Sequence, residues 1–170
     1  MTTGHWTPAA RSITPADESF FTTAALVLAA SIELPHSPAQ VWEALTDDRL
    51  GAWMAIVDRG QWLEPGPRSR GARRTVRLLR CVTIEEEFHI WEESRRIGFR
   101  ALRLRPRVAR AWAEQAQLDA LPDGRTRLTY TIAIDAPVLR LVSRILNTPA
   151  TALSRRALRG IVTVLPSPNR

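Results

Sequence analysis

Two glutamates, an arginine and a tyrosine sit in this chain where an alternating pattern calls for apolar residues. The even positions Val82, Ile84, Phe88 and Ile90 are apolar, and Glu86 interrupts them. Trp112, Ala116 and Leu118 are interrupted in the same way by Glu114. Arg74 shares parity with Val76 and Leu78, and Tyr130, the only tyrosine, with Leu128, Ile132 and Ile134. Strand side chains alternate between faces, so each set lies on one face, the inner one. If Leu79-Arg80-Cys81 is the connecting loop, Leu78 faces Val82, Val76 faces Ile84 and Arg74 faces Glu86. A guanidinium opposite a carboxylate on an inner face is a cross-strand ion pair. Such a set could orient the polar end of a ligand or move protons. A neighbouring arginine lowers a carboxyl pKa, so Glu86 suits orientation. Glu114, if desolvated and unpaired, is the better proton-transfer candidate. Both carboxylates could instead be structural, with Glu114 paired to Arg100 or Arg103. Tyr130 could hydrogen-bond a ligand carbonyl or phenol, or be core with its hydroxyl satisfied. Phe88 and Trp112 complete the expected ligand-binding set of Arg74, Glu86, Phe88, Trp112, Glu114 and Tyr130.

Other chemistries are excluded by what the chain lacks. All 24 of its basic residues are arginine, so no Schiff-base, Walker-A or general-base lysine exists. Gly66 to Gly71 has the spacing of a phosphate loop without its lysine. One cysteine, Cys81, allows no intrachain disulfide and no multi-thiolate zinc site. His5, His36 and His89 stand far apart, so no metal is expected. His89 has odd parity and is expected to face solvent. No Ser-His-Asp order stands out, and no cofactor is implied.

The 170 residues fit one domain with a real core. Residues 1–19, with Gly4, Pro8 and Pro15, read as a flexible arm, 20–165 as the domain and 166–170 as a tail. Phe20 to Ala30 has the length of a signal-peptide core, but Asp17 and Glu18 stand where positive charge is required. No stretch reaches 18 apolar residues, so no transmembrane segment is expected, and the location is read as cytoplasmic. Strand character runs on through Ile32 and Leu34. Ser37, Pro38 and Gln40 form a capping box opening a helix with Val41, Trp42 and Leu45 on its apolar face. A second short helix is expected from Leu50 to Ile56.

Period two then returns. Strands are expected at Arg59 to Leu63, Ala72 to Leu78, Val82 to Trp91, Ile97 to Arg105, Val108 to Leu118 and Arg127 to Asp135. Glu64-Pro65-Gly66-Pro67 and Pro122-Asp123-Gly124 mark turns. Short turns between successive strands imply an antiparallel meander. Pro137 to Leu165 reads as a helix with Val138, Val142, Ile145 and Leu146 on one face, broken or kinked at Pro149. The fold class is therefore α+β: a seven-stranded curved antiparallel sheet wrapped around a long C-terminal helix, with two short helices between its first two strands. A sheet gripping one helix leaves a largely apolar cavity.

This order resembles the START-like, or SRPBCC, helix-grip superfamily, and within it the polyketide cyclase/dehydrase and lipid-transport group. The resemblance runs over about residues 20–165. It rests on Ser37 to Asp47 with Leu50 and Trp53, then Gly71 with Arg74-Thr75-Val76. Glu86, Phe88, Trp91 and Glu92 followed by Arg95-Arg96-Ile97 continue it, and Glu114, Asp123-Gly124, Thr126 to Leu128 and Tyr130 close it. It implies a cavity for a lipid, polyketide or isoprenoid-like molecule. Alternatively it implies an aromatase/cyclase-type enzyme, with Glu114 and Glu86 as acid and base in an aldol-type cyclisation and dehydration. A third reading draws on the net charge of +7 and the arginine runs at Arg68 to Arg80 and Arg95 to Arg110, which could serve a regulatory or interaction role. Nucleic acid is disfavoured as a partner, because no zinc finger, RNP-type signature or helix-turn-helix is present; the arginines either serve a partner or follow from the arginine-for-lysine bias of a GC-rich coding sequence. A homodimer is left open.

Overall fold

The computed structural model describes residues 11–47, 56–136, 160, 161 and 165. The expected second helix at 50–56 and the C-terminal helix at 137–165 fall almost wholly outside them. A two-residue strand β1 (Arg11–Ser12) and one helical turn α1 (Phe20–Thr23) precede the long strand β2 (Leu26–Leu34). Helix α2 (Pro38–Thr46) follows, then β3 (Val57–Trp62), β4 (Arg73–Leu78), β5 (Val82–Glu92), β6 (Arg96–Arg105), β7 (Ala111–Ala120) and β8 (Thr126–Asp135). The antiparallel order is β2-β8-β7-β6-β5-β4-β3, so the first long strand closes against the last and the rest is a meander. Strand β1 pairs with β6 outside this order.

Local chemistry accounts for these boundaries. The Ser37 side chain accepts from the Gln40 N–H at 3.4 Å, and the Gln40 side chain accepts from the Ser37 N–H at 3.0 Å. This is the expected capping box, with Pro38 inside the first turn. The segment from Phe20 does not run straight into a strand. Asp17 accepts from the Ser19 N–H at 2.9 Å, starting the turn that buries Phe21, so the strand begins only at Leu26.

One cluster of buried side chains fills the concave face, with Leu34, Val41, Ile84, Leu104 and Leu128 at its centre. A second, smaller cluster lies on the convex face, where Ala16 and Phe21 cover Ile90, Ala113 and Ala133. The described part of the N-terminal arm is thus docked: Ile13 donates its N–H to the Leu102 carbonyl, and Ala16 is buried.

Ile90 departs from the expected alternation. The β5–β6 register shifts between Phe88 and Ile90, so a bulge turns Ile90 to the convex face and Trp91 inward. Trp91 then meets Trp42 of α2 edge-on, with ring centres 5.4 Å apart.

Candidate functional site

The β4–β5 hairpin places Leu78 opposite Val82, Val76 opposite Ile84 and Arg74 opposite Glu86, the register expected from parity. Trp62, Arg74, Glu86 and Ala101 form one row across β3 to β6. The next row on the same face is Phe88, Phe99, Glu114 and Ile132. Two adjacent rows of one concave face therefore carry Arg74, Glu86 and Glu114, and Tyr130 lies in the row beyond, opposite Ala116.

Arg74 donates from Nε to Glu86 Oε1. Its guanidinium carbon also lies 4.7 Å from the Phe88 ring centre, 5.3 Å from Phe99 and 5.5 Å from Trp62. Aromatic faces thus share the cation with one carboxylate. Phe99 was not anticipated, although its position between Ile97 and Ala101 gives the parity that would have found it.

Glu86 is only 1% exposed. Its carboxyl is raised from the ordinary 4.5 to about 7, with burial the largest cause, Arg74 opposing it and nearby Glu114 adding to it. The arginine acts in the expected direction, but desolvation is the larger effect. Glu86 is therefore not a simple carboxylate counter-ion at neutral pH.

Glu114 does not pair with Arg100 or Arg103. Those arginines lie near Glu87 and Glu85, each at 3.4 Å. Glu114 instead accepts from Trp112 Nε1 at 2.8 Å and from the Tyr130 hydroxyl. Burial raises its pKa against both donors and the Arg74 charge. Tyr130 is pushed well above its ordinary value, by burial first and by Glu114 second, so it remains a donor. Trp112 and Glu114 stand two apart on one strand, which places them on one face. The Tyr130 contact was not anticipated, because it needs the β7–β8 register, in which Tyr130 lies opposite Ala116, one diagonal step away.

His89 lies on the convex face, but it is not exposed to solvent as expected. Phe21 stacks on it at 6.4 Å between ring centres, leaving it 9% exposed. Neither ring nitrogen has a hydrogen-bond partner among the described residues. Cys81 is exposed in the β4–β5 turn. Among the described residues no group of three or more His, Cys, Asp or Glu could hold a metal ion, and no helix is long and apolar enough to cross a membrane.

A cleft of about 470 Å³ opens at the β3–β4 turn, lined in part by Trp62, Pro65, Arg68 and Arg73. The Arg68 guanidinium lies 4.3 Å over the Trp62 ring. Trp62 therefore lines this cleft and also stands against the buried Arg74 guanidinium.

Comparisons with known proteins bear on the family and the fold. A family described as polyketide cyclase/dehydrase and lipid transport matches residues 26–166. An uncharacterised protein of Mycobacterium tuberculosis is 32% identical over 116 residues, covering 68% of this chain and 69% of its own. A Mycobacterium bovis protein, also uncharacterised, matches equally. A hypothetical protein from Helicobacter pylori superposes with a TM-score of 0.69 at 10% identity, covering 92% of this chain and 97% of its own. The Zhui aromatase/cyclase from Streptomyces sp. R1128 superposes with a TM-score of 0.63 at 14% identity, covering 81% and 92%. At these identities the solved structures establish the fold alone.

Proposed function

The chain belongs to the polyketide cyclase/dehydrase and lipid transport family, and from that premise we propose that it binds a hydrophobic small molecule against the concave face of its sheet. The C-terminal segment, read as a long helix across that face, would close the cavity. One observation carries this reading. Arg74, Glu86, Glu114 and Tyr130 are buried together on a face whose other buried side chains, among the described residues, are apolar or aromatic except for Thr126 at its edge. Burying four polar groups costs stability unless something is gained by it. A ligand with an apolar body and one carbonyl or hydroxyl end matches the surface. Its body would lie on Phe88, Phe99 and Ile132, and its polar end would take a hydrogen bond from Arg74 or Tyr130. Passage past Trp62, from the cleft at the β3–β4 turn, is the proposed route in.

A second reading is supported by the protonation behaviour of the two carboxyls. Glu86, near pH 7, and Glu114, also raised, could exchange protons with a bound polyketone. In a cyclisation of aldol type one carboxylate would take a carbon-bound proton. A protonated partner would give one to the carbonyl oxygen, and loss of water would follow.

Native mass spectrometry of the purified protein, followed by organic extraction, tests the first reading. One apolar molecule per chain is expected, and Arg74→Ala should reduce its occupancy. A clean mass, together with no binding of a fluorescent fatty-acid or polycyclic aromatic probe, would overturn it. Turnover of a polyketone analogue that survives both Glu114→Gln and Glu86→Gln would remove the second.

A further inference from the structure

Three large aliphatic side chains are exposed at one end of the sheet. Leu79 is 64% exposed at the β4–β5 turn, Ile56 is 46% exposed just before β3, and Val108 is 47% exposed in the β6–β7 loop. The strand registers place them together. Val57 pairs with Leu78, Leu78 with Val82, and Thr83 with Arg105, so all three segments project from the same edge. The Leu79 N–H also donates to the Ile56 carbonyl at 2.9 Å, tying two of the tips directly.

Arginines surround these tips. Arg59, Arg77, Arg80, Arg105 and Arg107 are all exposed there. Arg59 stands directly opposite Arg77, and the same row continues through Thr83 to Arg105. Like charges opposed across a strand pair are destabilising by themselves. Arg77 is further held at the tip, donating to the Arg80 carbonyl at 2.7 Å. The nearby acid Asp58 accepts the Arg80 backbone N–H, and its single charge offsets only one of these five arginines.

Backbone geometry adds a third, separate observation. Leu79 and Arg80 both have positive φ, 47° and 57°. A bulky non-glycine residue in this region is disfavoured, and here it is held so that its side chain points into water. Local folding gains nothing from a leucine at that position.

From these observations we infer that this end of the sheet docks on an anionic lipid bilayer. Leu79, Ile56 and Val108 enter the outermost hydrocarbon, and the arginine ring lies among the headgroup phosphates and carboxylates. Exposed apolar side chains set in a basic surround match that interface, whose surface is negative and whose interior is apolar. A nucleic-acid surface would use the arginines but give the aliphatic tips nothing to enter. The inference goes beyond the proposed cavity and does not depend on a ligand being bound there.

Co-sedimentation with vesicles of phosphatidylcholine alone, and of phosphatidylcholine with 30% phosphatidylserine (roughly the anionic content needed for a negative surface), tests it with the full chain. Binding is expected only to the anionic vesicles, falling steeply with added salt. Replacing one arginine, as in Arg80→Gln or Arg77→Gln, should weaken it roughly fivefold. Leu79→Ser should weaken it roughly tenfold while leaving the thermal midpoint unchanged, because that side chain is exposed. The single cysteine, Cys81, lies at the same tip, and an environment-sensitive dye on it should shift to the blue only on anionic vesicles. Equal binding of wild type and Leu79→Ser, an unmoved dye, no vesicle binding at low salt, or tighter binding to duplex DNA than to vesicles would each overturn the inference. Cavity occupancy, measured separately, is untouched by any of these results.

Discussion

On the concave face Glu86 and Glu114 are buried among Trp62, Phe88 and Phe99, and each has a strong donor: Arg74 for one, Tyr130 and Trp112 for the other. On the convex face of the same sheet, His89 is buried under Phe21 with no partner for either ring nitrogen. Burial penalises the charged form on both faces, but the groups have opposite charge types. The carboxyl pKa values rise and the imidazole pKa falls. The concave groups are held by hydrogen bonds, so they keep a defined geometry that chemistry or binding could use. The convex histidine is held only by packing. A buried polar group with partners thus has its orientation fixed by them, while one without is fixed only by the side chain packed over it.

The largest expected effect comes from breaking the concave pair. Arg74→Ala leaves Glu86 buried without its cation and should cost about 3–5 kcal/mol by urea denaturation at pH 8. The loss should be smaller at pH 5, where Glu86 can take up a proton instead. An equal cost at both pH values would mean that packing against the aromatic rings, not charge, is what Arg74 supplies.

Next is the pH dependence itself. Because the folded pKa of Glu86 is raised to about 7, the folded state holds a proton that the unfolded chain releases above 4.5. Its contribution is fully present below pH 4.5 and is lost by pH 7, roughly 3 kcal/mol in all. Glu86→Gln should flatten this fall. His89 has the opposite sign: its lowered pKa gives a contribution present above pH 6.5 and lost as pH falls below it. His89→Phe should remove that acid loss without flattening the Glu86 fall. If one substitution abolished both trends, the two faces would not be independent.

Tyr130→Phe removes one of the two donors to Glu114 and should cost about 1–3 kcal/mol. It should also raise the Glu114 pKa further, which a carboxyl-selective infrared titration would read. His89→Phe has the smallest expected effect on stability at pH 8. It replaces two unpartnered nitrogens by carbon and should be neutral or stabilising by about 1 kcal/mol. A loss of several kcal/mol would show that His89 is held by more than the Phe21 stack.

The Arg74–Glu86 pair was legible in the sequence because it depends on two local quantities, a period of two and a short loop. The same reasoning failed four residues after Glu86, where the bulge between Phe88 and Ile90 shifted the register and turned Ile90 outward. A bulge follows from how neighbouring strands must twist, and no residue between Phe88 and Ile90 announces it. Parity also placed His89 on the correct face but gave the wrong exposure. Its cover comes from Phe21, 68 positions earlier, in a turn that the apolar run Phe20 to Ala30 disguised as strand.

By itself the sequence determined which side chains share a face up to the bulge at His89, where α2 begins and how the meander runs, since strand pleating, capping and turn chemistry act over a few residues. The partners within a face and the direction in which each pKa moves were decided only by the tertiary structure. Glu114 found Tyr130 and Trp112 rather than an arginine. Glu86 rose to about 7 despite its arginine. Desolvation depends on everything that packs around a group from distant parts of the chain, and no local pattern encodes it.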